Sequence, residues 1–397
     1  MKTYKHTLLA CYIAYITQGI IVNFAPLLFL TFRDTFGLSV EQLTTLITFN
    51  FLVQLTVDFL SAKFVDKIGY RPCMVTAHIL AAIGLVGLAL FPAMMPPYAG
   101  LFLATLVYAV GGGLLEVMVS PMVEACPTEG KSAAMSILHS FYCWGVVAVV
   151  LISTLLFRVL GIGNWRAVAC MWAVIPALNA VLFTRVPIAP IVAEGEGMTV
   201  SQLAKTKLFW ILWLLMICSG AAEMAMAQWA SAFAEDALNV SKTVGDLAGP
   251  CMFAVCMGLG RIFHAKFADR IDLEKYMVGC GILCVFSYLL AVAPFGAAVN
   301  LIGCTVCGLA VAMVWPGMLS VAAVRCPVGG TALFALLAVG GDMGCTLGPT
   351  LVGIVSGAFR ENLRVGLLAA IVFPIMIIFG IQMLRREKGV KINKSAD

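Results

Sequence analysis

The sequence predicts an all-α membrane protein with twelve transmembrane helices in two six-helix repeats. Its composition is the first indication, because 62% of the residues are hydrophobic and only 11% are charged. Soluble domains carry about 25% charged residues. The second indication is a series of apolar segments, each near the roughly 20 residues that span a bilayer. The third is an internal repeat with a period of about 200 residues, typical of membrane proteins built from two related halves.

Three pairs of segments carry the repeat, and they occur in the same order in both halves. The first pair is a base-rich loop, in which residues 62–67 (AKFVDK) are similar to residues 265–270 (AKFADR). The other two pairs match 113–121 with 308–316, and the Cys-Pro at 126–127 with that at 326–327. Because the three matches keep the same order at offsets of about 200 residues, chance explains them poorly.

Twelve apolar segments are long enough to cross a membrane. We predict helices 1 to 12 at residues 7–32, 42–64, 72–94, 99–123, 132–157, 165–185, 208–234, 246–268, 276–295, 298–324, 330–356 and 363–384. Two uncharged runs are too long for one helix, and helix-breaking residues divide them. The breakers are Pro92, Pro96 and Pro97 between helices 3 and 4, and Pro294-Phe295-Gly296 between helices 9 and 10.

Positive charge is distributed unequally between the two sides of the predicted membrane. Twelve spans place both termini on one side. Of the 25 Lys and Arg residues, the opposite side receives only Arg33, Arg158, Arg166, Lys242, Arg360 and Arg364. Because Lys and Arg concentrate in cytoplasmic loops, we predict that both termini are cytoplasmic. The protein is then a multi-pass component of the plasma (inner) membrane.

A polar segment separates the two predicted halves. Residues 187–207 contain Pro187, Pro190 and the Glu-Gly-Glu-Gly run at 194–197, with few large apolar side chains. We therefore predict an N-terminal six-helix bundle at 1–186, a cytoplasmic linker at 187–207, a C-terminal six-helix bundle at 208–384 and a basic cytoplasmic tail at 385–397.

The loops after helices 2 and 8 resemble a motif of the major facilitator superfamily, Gly-x-x-x-Asp-Arg/Lys-x-Gly-Arg/Lys-Arg/Lys. The matching residues are Asp66, Lys67, Gly69 and Arg71 in the first copy, and Asp269 and Arg270 in the second. The resemblance covers essentially the whole chain. It implies the superfamily's fold, and it implies that these residues latch the cytoplasmic helix ends in the outward-open state. Asp58 precedes Asp66 by two turns, near the predicted cytoplasmic end, and we expect a latch or helix-contact role for it as well.

Helix 4 is similar to one branch of that superfamily, the fucose permease-like sugar:proton symporters. Leu115-Glu116 followed by Ser120-Pro121 resembles the branch's Leu-Glu-x-x-x-Asn-Pro. The resemblance implies proton coupling for Glu116. The chain departs from the branch at Ser120, which replaces Asn, and in helix 1, where Phe24 follows Asn23 and no acid is present.

Acidic residues within the spans are the candidates for coupling transport to protons. An ionisable side chain at the centre of a membrane helix costs about 2.5–3.5 kcal/mol on insertion scales, so it usually faces a cavity and has a function. Besides Glu116, we expect Asp342 and Glu223 to take this role. No Lys or Arg is deep enough in the sequence to be an obvious permanent partner, and unpaired carboxyl groups suit reversible protonation.

Amide and aromatic side chains within the spans are the candidates for substrate binding. Amides can bond hydroxyl groups, and aromatic rings can cover the apolar face of a sugar. The alternative for any one of these residues is interhelical hydrogen bonding or packing. The candidates are Asn23, Asn50, Gln54, His139, Tyr142, Gln228, Trp229 and Trp315.

These patterns predict a secondary active transporter of a small neutral solute, a sugar or polyol, by proton symport with alternating access. No buried base is expected in helices 1, 4, 5, 7, 10 or 11, which argues against anionic solutes. Two alternatives remain open: a proton-driven exporter of cationic or amphiphilic drugs, and a non-transporting receptor on a transporter scaffold. Sodium could replace the proton at the same acids. We expect no enzyme activity, cofactor, metal site or nucleic-acid partner, because the sequence shows no nucleophile–base pairing, metal cluster or phosphate-binding loop.

Overall fold

The computed structural model describes residues 3–127, 131–189, 198–267, 271–326 and 329–386, and its regular elements there are helices without any strand. Among the described residues, twelve helices are long and apolar enough to cross a membrane, which confirms the predicted number. Numbered in chain order, helices 1 to 12 span Tyr4–Phe36, Val40–Ser61, Tyr70–Met94, Pro97–Val123, Ile137–Leu160, Ile162–Phe183, Lys207–Ala237, Lys242–His264, Leu273–Val292, Ala297–Ala322, Ala335–Ala358 and Leu363–Arg386.

The predicted helix breakers act where the sequence places them. Helix 3 ends at Met94, and Pro96 is the N-cap of helix 4. Helix 9 ends at Val292, and Gly296 has a φ of +92° immediately before helix 10. A side chain rarely adopts this conformation, so glycine suits the turn.

Helix 10 is interrupted in mid-membrane, where the sequence analysis predicts one continuous helix. The first segment ends at Val311 and the second begins at Val314. The break frees the carbonyl oxygen of Ala312, which accepts a hydrogen bond from Nε of Arg261 at 3.2 Å. Non-helical backbone at membrane depth is tolerated when another group of the protein satisfies it. The break directly precedes Trp315, which faces the centre of the bundle.

Helix 11 packs closely against helix 7 through the glycines spaced four residues apart. A Cβ at Gly344 would lie 2.0 Å from the carbonyl oxygen of Ile217, and one at Gly348 would lie 2.3 Å from that of Ala221. In helix 7, Gly220 makes the reciprocal approach to the carbonyl oxygen of Gly341, at 2.2 Å. Small residues at this spacing let two membrane helices approach closely.

The two halves are joined at the end of the bundle opposite the chain termini, called the distal end below. Helix 2 lies beside helix 11 there, and the Thr48 and Thr350 hydroxyl groups form a hydrogen bond. Helix 1 contacts helix 7, because an Arg33 Nη1 lies 2.9 Å from Asp236 Oδ1. A main-chain donor adds to this, because the Val40 N–H donates to the Glu361 side chain at 3.4 Å.

A buried ion pair in helix 8 reinforces the distal contact between the halves. The Asp246 side chain is fully buried and lies 3.1 Å from Lys242 Nζ. Thr154 of helix 5 donates to Asp246 at 3.0 Å, and Lys242 donates to the Leu27 carbonyl oxygen. Both halves therefore contribute to one hydrogen-bond network.

The predicted boundaries of the halves, linker and tail stay predictions, as does the cytoplasmic location of the termini. Within the linker, a short helix at Val200–Ala204 begins at the Thr199 cap, while 190–197 lie outside the described residues. The tail after Arg386 also lies outside them.

Candidate functional site

A cavity of about 100 Å³ lies between the two halves, midway along the helices. It receives side chains from helices 1, 2, 4 and 5 of the first half and from helices 7, 8, 10 and 11 of the second. The lining residues are Tyr15, Gln18, Val22, Phe51, Gln54, Glu116, His139, Tyr142, Glu223, Met224, Arg261, Trp315, Asp342 and Cys345. This position between repeats is where secondary transporters place their substrate.

Glycines in helix 4 bring helix 2 close to the site. A Cβ at Gly113 would lie 2.9 Å from the Gln54 carbonyl oxygen, so glycine at this position lets helices 2 and 4 approach to the observed distance. The approach places Gln54 beside Gln18, whose amide nitrogen donates to Gln54 Oε1 at 2.9 Å and to Glu116 Oε2 at 3.1 Å. One amide thus links helices 1, 2 and 4.

Three acids meet at the cavity. Single carboxylate oxygens of Asp58, Glu116 and Asp342 all lie within 4.8 Å of one another, close enough for charges on them to disfavour one another. The side chains of Asp58 and Asp342 lie within hydrogen-bonding reach of each other. The sequence analysis expects a latch or helix-contact role for Asp58, and this role stays a prediction. Helix 2 turns the residue inward, onto Glu116 and Asp342, and leaves it only 7% exposed. Asn50, Gln54 and Asp58 are spaced four residues apart and so share one face of helix 2. This face continues into the site.

Arg261 corrects the prediction that no permanent base lies deep in the bundle. It belongs to helix 8, and its Nη2 lies 4.0 Å from Glu223 Oε2, where the two side chains are 15% and 7% exposed. Its Nη1 donates to the His139 carbonyl oxygen at 3.3 Å and lies 3.2 Å from Cys143 Sγ. Glu223 is therefore a paired acid, unlike the unpaired acid that we predicted.

Four of the eight predicted binding residues line the cavity: Gln54, His139, Tyr142 and Trp315. The His139 ring meets the Tyr15 ring edge-on at 5.4 Å. Asn23 touches the site indirectly, since its amide donates to the Tyr142 hydroxyl at 3.4 Å. The aromatic and amide groups of this set surround one small space.

The other three predicted binding residues lie outside the main cavity. Asn50 and Gln228 line a separate cavity of about 20 Å³ toward the distal end. The Trp229 indole is 1% exposed and donates to the Pro349 carbonyl oxygen at 3.0 Å. Trp229 packs helix 7 against helix 11. The geometry therefore supports a packing role for Trp229 and does not support its predicted role in substrate binding.

The predicted latch residues are only partly described. Gly69 has a φ of +95° between helices 2 and 3, and an Arg71 Nη1 donates to the Phe183 carbonyl oxygen at 2.8 Å. That contact holds the start of helix 3 to the end of helix 6. The side chains of Asp66 and Lys67, and all of Asp269 and Arg270, lie outside the described residues. A latch role for this set stays a prediction.

Tyr15, Arg261 and Cys345 are site residues that sequence reasoning missed. Arg261 had a usable signal: it lies seven residues inside the predicted end of helix 8, which is two helical turns from the surface. Tyr15 precedes Gln18 by three residues and so shares its helix face. Cys345 follows Asp342 by three residues in the same way.

A family model described as Major Facilitator Superfamily matches residues 7–349. Among curated proteins, the membrane protein MosC of Rhizobium meliloti is 26% identical over 327 residues, which cover 80% of this chain and 74% of MosC.

Solved transporter structures share the fold. A D-xylose-proton symporter matches with a TM-score of 0.78 at 15% identity, over 96% of this chain and 97% of that chain. An inward-facing bacterial homologue of the human lysosomal transporter Spinster matches with 0.76 at 17% identity, over 96% and 97%. The E. coli fucose:proton symporter matches with 0.66 at 16% identity, over 96% and 99%.

Proposed function

Because the chain belongs to the major facilitator superfamily, and is therefore a multi-pass membrane transporter and not an enzyme, we propose that it moves a small hydroxylated solute in symport with protons. A sugar or polyol is the solute class that the cavity suits best. Access alternates between the two sides as the halves rock about the central site.

The observation that carries this proposal is the amide–carboxyl chain in the cavity wall. Gln54, Gln18 and Glu116 are joined in series by hydrogen bonds of 2.9 and 3.1 Å. Amide and carboxyl groups both donate and accept, as hydroxyl groups do. Trp315 and Tyr142 border the same space and offer faces to the C–H surface of a sugar ring.

Proton coupling is proposed at Glu116, within the same chain. A solute hydroxyl that bonds Gln18 or Gln54 changes the hydrogen bonding of Glu116 and thereby its affinity for a proton. Binding of solute and proton is then linked by a coupling free energy, and that linkage is reciprocal. The sugar–proton symporters that share this fold make sugars the first compounds to test.

Arg261 bears on the rival functions. Arg261 is paired with Glu223 and the other acids remain, so the exporter of cationic drugs stays open as an alternative. Arg261 also weakens our argument against anionic solutes, and a sugar acid, which joins hydroxyl groups to one carboxylate, becomes the second candidate. The carboxylate of the sugar acid would displace Glu223 from Arg261. Charge-assisted hydrogen bonds between that carboxylate and the guanidinium group would drive the displacement.

The test is uptake of labelled sugars, polyols and sugar acids into proteoliposomes with and without an inward proton gradient. We expect gradient-stimulated uptake of one compound. Glu116→Gln should abolish the stimulation while leaving solute exchange at equal pH. Asp34→Asn is the matched control, because the Asp34 side chain is 73% exposed at the distal end. Stimulation that survives Glu116→Gln would show that this residue does not couple the proton.

A further inference from the structure

The acid cluster is divided between the two halves of the transporter. Asp58 belongs to helix 2 in the first half, and Asp342 belongs to helix 11 in the second. Glu116 joins them from helix 4, and the three carboxylate groups approach within 4.8 Å. A charge change in this cluster therefore acts directly across the boundary that must open during alternating access.

The three carboxyl groups cannot all be ionised at this separation in a membrane-buried site, because like charges close together disfavour one another. The groups that face them are few. Helix 1 supplies Tyr15, helix 5 supplies His139 and Tyr142, helix 7 supplies Glu223, helix 8 supplies Arg261, and helix 11 supplies Cys345. Arg261 is the permanent cation among the described lining residues, and it lies beside Glu223. At least one of the three carboxyl groups therefore holds a proton.

A buried oxygen that lacks a donor supports this protonation. Asp58 Oδ1 has no hydrogen-bond donor among the described residues, and the Asp58 side chain is only 7% exposed. An ionised carboxylate only accepts hydrogen bonds, whereas a protonated carboxyl group also donates one. A proton shared by Asp58 and Asp342 therefore supplies a donor at this buried site.

We propose that Asp58 and Asp342 share a proton across the boundary between the halves, in addition to the proton proposed at Glu116, and that release of the shared proton drives helices 2 and 11 apart. The inference deepens the proposed function, on which it rests. On release, a carboxyl O–H bond breaks, the proton passes to water on the open side, and two facing carboxylates remain. Their repulsion acts on the same helix pair that Thr48 and Thr350 join nearer the distal end.

A solute-free test follows from that helix contact. In a Thr48→Cys/Thr350→Cys protein, disulfide cross-linking reports how often helices 2 and 11 are together at the distal end. Cross-linking is measured by mass spectrometry with the acids intact and with Asp58→Asn/Asp342→Asn. Because thiol chemistry itself depends on pH, the readout is the ratio of the two rates. Thr48→Cys alone controls for reaction with the native cysteines, most of which are buried.

We expect similar rates at about pH 5.5, where the shared proton is bound. At about pH 8.5 the protein with intact acids should cross-link at least roughly threefold more slowly than the neutral variant, because ionised acids repel. A ratio that does not change with pH would overturn the proposal. Recovery of cross-linking on adding sodium at high pH would also overturn it, by identifying a sodium ion in place of the proton.

Transport provides a second readout. Asp58→Asn and Asp342→Asn should each lower the ratio of accumulation driven by a proton gradient to solute exchange, and Asp34→Asn should leave this ratio unchanged. If gradient-driven accumulation survives in both variants with this ratio unchanged, the proposal that Asp58 and Asp342 share a proton is wrong. If no solute in the panel is transported but the cross-linking ratio still depends on pH, the solute proposal fails and the proton pair stands.

Discussion

Arg261 and Glu223 offer a quantitative test of the site's electrostatics. At the observed 4.0 Å separation, two unit charges attract by about 4 kcal/mol for an effective dielectric constant of about 20. Desolvation offsets part of this, and coupling between contacting residues is commonly about 0.5–3 kcal/mol. We therefore expect a coupling free energy of about 1–3 kcal/mol in a cycle of Arg261→Ala, Glu223→Gln and the double variant.

The two single changes should differ in severity. Arg261→Ala leaves a buried carboxylate unpaired and also removes the donor to the Ala312 carbonyl oxygen in the break of helix 10. Glu223→Gln leaves Arg261 with its main-chain partners, so it should lower the apparent Tm less. The double variant should be more stable than Arg261→Ala alone. Arg185→Ala is the control, because that side chain is exposed.

Thermal unfolding in detergent measures all five proteins under one condition. A double variant whose loss of Tm equals the sum of the single losses would refute the ion pair. An Arg261→Ala protein with the Tm of the control would refute the wider argument, since the break in helix 10 would then need no donor from helix 8.

Three further predictions concern packing, distal closure and the division between binding and structural aromatics. Gly344→Ala should lower the Tm, because overpacking costs about 1–3 kcal/mol where a Cβ meets the backbone of helix 7, whereas Gly279→Ala, in open space, should not lower it. Lys242→Ala should speed thiol labelling of a Thr48→Cys residue at the distal end about tenfold or more, since a hydrogen bond to a charged group contributes about 1.5–3 kcal/mol. An unchanged labelling rate would exclude a role for Lys242 in closing the distal end. Trp315→Phe should raise the solute KM about fivefold through lost aromatic contact, while Trp229→Phe should lower the Tm and leave KM unchanged; the reverse pattern would place Trp229 in the site.

The helices could be predicted from the sequence because the signal for a membrane-spanning helix lies within one short segment of the chain. A run of roughly 20 apolar residues must be helical in a bilayer, since every backbone group needs an internal partner. The breakers between helices 3 and 4 and between 9 and 10 are equally local. The interruption of helix 10 also has a local cause, because Pro316 has no N–H to donate to the carbonyl oxygen of Ala312 four residues earlier. What the sequence does not show is that Arg261 of another helix satisfies this oxygen.

Only part of the candidate site could be predicted from the sequence. Sequence spacing shows which residues share a helix face, but it does not show which neighbouring helix that face contacts. The polar face of helix 2 illustrates this, since Asn50 enters the distal cavity, Gln54 the central one, and Asp58 the acid cluster. Depth was misjudged for Arg261 because counting charges by side assigns a residue to the nearer end of its helix, and two turns suffice to reach the cavity.

The ion pair at the distal end has an electrical consequence. Lys242 and Asp246 both belong to helix 8 and lie one turn apart, so when that helix moves, the pair carries no net charge through the membrane field. The membrane voltage therefore does almost no work on this pair. A proton crossing by way of the acid cluster is different, because each elementary charge that crosses gains about 2.3 kcal/mol per 100 mV. Voltage should thus drive accumulation of a neutral solute while leaving this part of the distal closure unaffected.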